Sequence, residues 1–162
     1  MRISRRRLVG GGIATAAATG VAVAMPRAPG QGLTRLNTRE ALVVEAVGRA
    51  LFPGRRLPDI YKANLVQRVD HLVHHTLEPA ASAGFRGVLR TLEWATVASR
   101  GAPFSELSLE RQREVLRVWA LPDPVPRRVA CESLRAVLAM AYFGSPAVQR
   151  AVGWRTGCGE VG

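Results

Sequence analysis

Apolar residues recur along this chain at helical rather than strand spacing. Val43, Val47, Ala50 and Leu51 fall on one face, and Asn37-Thr38-Arg39-Glu40 before them reads as a capping box with Asn37 at the cap. The first helix therefore ends at Phe52-Pro53-Gly54, where proline and glycine stop it. Leu65, Val69, Leu72, Val73 and Thr76 predict a second helix over 59–77, ended by Glu78-Pro79. Phe85, Val88, Leu89, Leu92 and Ala95 predict a third over 81–99, with Gly101 as terminator. Phe104-Ser105-Glu106-Leu107 reads as a loop with two apolar anchors. Ser108 caps a fourth helix bearing Gln112, Val115, Leu116 and Trp119 on its inner side.

After the proline-rich break at 121–126, a fifth helix is expected over 127–143. Ala130, Leu134, Val137, Leu138, Ala141 and Tyr142 face inward. Ser145-Pro146 opens a short sixth, since proline suits a first helical position. No alternating strand and no internal repeat is present. The pattern predicts an all-α bundle of about five helices plus a short C-terminal one, within ordinary helix lengths.

The N-terminus follows a different rule. Arg2, Arg5, Arg6 and Arg7 precede a run from Leu8 to Met25 made mostly of Gly, Ala, Val and Thr. Ala22-Val23-Ala24 supplies a small-residue cleavage pattern. Paired arginines after Ser4, followed by Leu8, form a twin-arginine export address: Ser4, Arg5, Arg6 and Leu8 carry the signal, and Ala22 and Ala24 mark the cut. An uncleaved anchor is the alternative, because the run is near the lower length limit for a span. Its three consecutive glycines at 10–12 are poor helix material. The expected organisation is a leader at 1–24, a linker at 25–36, a helical domain at 37–157 and a tail at 158–162.

Charge narrows the partners. The chain has 23 basic and 12 acidic residues, a net charge of +11. Four of the arginines are in the leader, and Lys62 is the sole lysine. The domain carries no run of basic residues, so nucleic acid is not an expected partner. Glu110, Arg113, Glu114 and Arg117 read as a solvated helix face.

Candidate chemistry is sparse. His71, His74 and His75 follow Asp70, and the i, i+3 and i, i+4 spacings put histidine pairs on one helix face. Zinc needs three or four protein ligands, and no further Cys or Glu is close in sequence. The histidines are ordinary rim or partner-facing groups, or a weak metal cluster in a small exported electron-transfer protein. Haem, di-iron, phosphate-loop and nucleophile-elbow motifs are all absent from the sequence, which argues against catalysis by this chain. Cys131 lies on the apolar stripe of the fifth helix, and Cys158 lies between glycines in the tail. A Cys131–Cys158 bridge would add about 3–4 kcal/mol in the chain-entropy account. A bond from Cys158 to another chain is the competing reading.

Trp119 is expected in the core. Trp94 lies about 160° round the third helix from Leu92, among Gly87, Thr91, Val97 and Ala98. It is either an interface anchor or a second core contact.

Several short motifs occur in a fixed order: Phe52-Pro53-Gly54, Val69-Asp70, Phe104-Ser105-Glu106-Leu107, Phe143-Gly144-Ser145-Pro146 and Val152-Gly153-Trp154-Arg155-Thr156-Gly157. Together with the leader, this order resembles the small third subunit of membrane-bound gluconate 2-dehydrogenase. The same family includes small subunits of FAD-dependent glucose and sorbitol dehydrogenases. The resemblance implies a non-catalytic chain without its own cofactor. It implies a large GMC-type partner subunit holding FAD, and in many complexes a cytochrome c subunit as well. It further implies that the twin-arginine translocase exports the pair together, to the periplasmic face of a membrane with which the complex associates. Trp94, Gly153 and Trp154 are the expected partner contacts.

Overall fold

A computed structural model describes residues 32–54 and 56–154. Six α-helices follow in order: α1 (Thr38–Leu51), α2 (Leu65–His75), α3 (Pro79–Arg100), α4 (Leu109–Trp119), α5 (Val125–Phe143) and α6 (Pro146–Ala151). A single 3-10 turn, Phe104–Glu106, precedes α4, and no strand occurs among the described residues. The all-α expectation is met.

Local chemistry sets most of the boundaries. Asn37 Oδ1 accepts from the Glu40 N–H at 2.8 Å, and Glu40 Oε2 accepts from the Asn37 N–H at 3.0 Å. The Ser108 hydroxyl accepts from the Arg111 N–H at the start of α4. Gly101, at φ 75°, closes α3 in the left-handed region that glycine enters without steric cost.

Three boundaries differ from the sequence expectation. The second helix does not begin at Asp59. Residues 60–64 form a separate turn, fastened by the Asp59 carboxylate accepting from the Lys62 N–H at 2.8 Å. Asn64 then adopts φ 51° and ψ 42°, a conformation asparagine tolerates better than most residues. The bend puts Ile60 and Ala63 into the core, which a continuous helix would not do. At the far end, α2 stops at His75, and Pro79 serves as the first residue of α3. Finally, α5 starts two residues before the expected Arg127, because Pro126 is acceptable in a first turn.

Helix α1 packs against α2, α3, α4 and α5, which explains its unusually wide buried face: Val43, Val44, Ala46, Val47 and Gly48. Gly48 permits the closest approach, since a Cβ there would collide with the Leu65 side chain. Phe85, Leu89, Leu92, Val115, Leu116, Trp119, Leu134, Val137, Leu138, Ala141 and Tyr142 complete the core as the stripes predict. Two stripe positions do not: Thr76 and Ala95 are exposed. Thr96 takes the inward place beside Ala95, with its hydroxyl donating to the Ala102 carbonyl at 2.8 Å. Phe104 and Leu107 are buried anchors, as expected, but the segment between them is a 3-10 turn.

Candidate partner interface

Four joints brace the interior, and they take in four of the five motifs singled out in the sequence. In the first, Phe52 stacks on Tyr142 with ring centroids 4.1 Å apart and planes 3° from parallel. Phe143 meets Phe52 edge-on, and the Tyr142 hydroxyl donates to the Pro58 carbonyl at 2.6 Å. In the second, Arg68 of α2 donates to the carbonyls of Ala141 and Gly144, satisfying orphan acceptors at the C-terminus of α5.

The third joint is Asp70, which is buried. Its carboxylate accepts the backbone N–H groups of Thr34, Arg35 and Leu36 at 2.8, 2.8 and 2.7 Å. The last residues of the expected linker are therefore fastened to α2. Burial on its own would raise the Asp70 carboxyl. The N–H donors of Leu36, Thr34 and Arg35 outweigh that effect and hold the group below the usual carboxylate range. The fourth joint is Glu93, also buried, which accepts from the Ser105 N–H at 2.9 Å and the Ser105 hydroxyl at 2.7 Å. Gln112 supports the same turn by donating to the Phe104 carbonyl at 3.2 Å. Glu40 is a related case: besides capping α1 it pairs with Arg86 at 3.1 Å and Arg90 at 2.8 Å.

These groups are structural. Each carboxylate is occupied by backbone or hydroxyl donors or by arginines. The histidines do gather. The His71 and His75 rings lie 4.4 Å apart, and those of His74 and His75 4.2 Å apart. His74 Nδ1, however, accepts from Arg35 Nε at 2.9 Å, so that nitrogen is engaged. Slight desolvation and then the charges of His74 and His71 push His75 below its ordinary value. Among the described residues, no three His, Cys, Asp or Glu side chains are arranged to hold a metal ion.

Cys131 is buried between α4 and α5 with its thiol near the Leu116 carbonyl, and burial pushes its pKa up. Cys158 lies outside the described residues, as do Ser4, Arg5, Arg6, Leu8, Ala22, Ala24 and the stretch 155–157.

Several large apolar side chains reach the surface. Trp94 is 39% exposed on the outer side of α3, with Arg39 5.2 Å above its ring and Val97 one turn further on. Arg39 also reaches Glu93 at 3.4 Å, so the indole rests on a guanidinium that the core itself positions. Trp154 is 65% exposed, directly after Gly153, whose φ of 73° turns the chain out of α6. Its N–H donates to the Gln149 carbonyl at 2.8 Å, which fixes the turn rather than the ring. The sequence reasoning missed a further set: Tyr61, Val118, Leu121, Val125, Val129, Met140 and Phe143 are also exposed. The signal was available, because Val125, Val129 and Met140 fall outside the inward stripe of α5. No helix among the described residues is long and apolar enough to cross a membrane.

Comparison with known proteins gives a single answer. No curated protein and no solved structure matches the chain. The family model for gluconate 2-dehydrogenase subunit 3 matches residues 38–159, which takes in every helix described above. The joints at Phe52, Asp70, Phe104 and Phe143 all lie within that match, and the chain belongs to the gluconate 2-dehydrogenase subunit 3 family.

Proposed function

We propose that this chain is the non-catalytic small subunit of an FAD-dependent sugar or alcohol dehydrogenase, and that it binds the flavoprotein subunit and carries it through twin-arginine export. The observation that carries this reading is the family match over nearly the whole domain. The leader supports it: a twin-arginine address is read by a receptor and is joined here to a domain with no catalytic motif. The exposed Trp94 and Trp154 support it as well, since large aromatics beside arginine are typical anchors of protein interfaces. In this reading FAD belongs to the partner, a cytochrome c subunit takes the electrons in some complexes, and the assembly works at the periplasmic face of the membrane. Holding a folded partner through transport calls for an interface of about 1,600 Å² or more.

The test uses the leader. Replacing Arg5→Lys and Arg6→Lys together is expected to strand the partner's dehydrogenase activity in the cytoplasm. Activity that still reaches the periplasm at the wild-type level would remove the escort role. Co-purification of the wild-type chain with a flavin-bearing subunit tests the binding role separately.

A further inference from the structure

The α4–α5 corner differs from the rest of the surface. Every residue from Leu121 to Val129 is exposed. Residues 125–129 belong to α5 and span more than one full turn of 3.6 residues, so every side of that turn reaches solvent. The first buried position of α5 is Cys131. Pro122, Pro124 and Pro126 stiffen this corner by fixing φ at three alternate positions. Its apolar side chains are all aliphatic: Val118 is 42% exposed, Leu121 51%, Val125 51% and Val129 56%. Arg117, Arg127 and Arg128 flank them and make no ion pair among the described residues. Asp123 is the one acid between 121 and 129.

We infer that this corner is a membrane-contact site that dips its aliphatic tip into the headgroup region of an anionic bilayer while the arginines hold lipid phosphates. Two observations favour a bilayer over a protein. Leu and Val are under-represented at protein hot spots, where Trp, Tyr and Arg dominate. The exposed aromatics of this chain, Tyr61, Trp94, Phe143 and Trp154, all lie away from the corner in sequence. In addition, a helix end that reaches solvent on every side can be met by a fluid surface, whereas a protein would need a matching socket. Aliphatic residues flanked by cations bind such interfaces through buried apolar area together with attraction to anionic lipid. The contact is interfacial, since none of the described helices can span.

The experiment places a polarity-sensitive fluorophore at Leu121→Cys in the full chain carrying Cys158→Ser, with Cys131 buried and shielded from label. A second chain labelled at Ala98→Cys, exposed on α3, is the control for membrane binding through any other part, the leader included. Vesicles contain phosphatidylcholine alone or an equal mixture with phosphatidylglycerol. The expected result is a blue shift at position 121 with the anionic vesicles only, and none at position 98. Adding Arg127→Ala and Arg128→Ala is expected to weaken that partition about thirtyfold while the melting curve stays unchanged. No shift at position 121, or equal shifts at both positions, overturns the inference. So does a shift at 121 produced by the flavoprotein subunit but not by vesicles, which would assign the corner to a protein interface.

Discussion

Glu40, Asp70 and Glu93 are carboxylates placed inside the bundle, whereas Trp94, Leu121, Val125 and Trp154 are large apolar groups left outside it. Either arrangement alone would be costly. A buried charge is tolerated only when paired and hydrogen-bonded, and extended apolar exposure usually marks a surface meant to be covered. In this chain the inner carboxylates are fully used: Asp70 by three backbone donors, Glu93 by Ser105 and Arg39, Glu40 by its cap and two arginines. Among the described residues, Trp94 has Arg39 over its ring, and Leu121, Val125 and Trp154 remain half or more exposed. The interior carboxylates are satisfied from within, while these exterior apolar groups stay open to solvent.

The sharpest way to break this comparison is Asp70→Ala. It strips the acceptor from three N–H groups, one of them on buried Leu36, and is expected to cost about 3 kcal/mol, lowering Tm by about 10 °C in a thermal melt. The pH dependence sharpens it. The folded-state pKa of Asp70 lies below its unfolded value, so its contribution is complete above the ordinary carboxyl range and is lost as the pH falls through the folded value. In Asp70→Asn that part of the acid limb should disappear, and a melt series that keeps it would show the carboxylate is not what holds the segment. A smaller effect is expected for Glu93→Ala, about 2 kcal/mol, because Ser105 sits near the surface and recovers some bonds from water. The smallest stability change belongs to Trp94→Ala, about 1 kcal/mol or less, since much of the ring is already solvated. On that variant association with the flavoprotein subunit should nonetheless weaken by about 2 kcal/mol, read by titration calorimetry. Unchanged binding would move the interface elsewhere.

The same division explains what the sequence disclosed. Boundaries set by local chemistry were legible: the Asn37–Glu40 box, the Ser108 cap, the stop at Phe52-Pro53 and the proline opening α6. So was the stripe of α5 from Leu134 to Tyr142. The break at Asn64 was not, because it is stabilised by burying Ile60 and Ala63, residues that a local pattern assigns equally well to a helix. Glu93 and Thr96 fall outside the expected stripe of the third helix, and their partners, Ser105 and Ala102, meet them only once α3 has turned at Gly101. Trp94 was placed on the right face by angle alone. The α4–α5 corner was read only as a break, because exposure on all sides of a helix end depends on where its neighbours stop.

Phe52, Asp70, Phe104 and Phe143 brace the scaffold, Asp70 and Phe104 buried, Phe52 partly so, and Phe143 half exposed. Side chains at these points report how the frame is braced and are silent on which companion the chain meets. Whatever tells one companion from another has to be sought on the outer faces, where Trp94 and Trp154 stand.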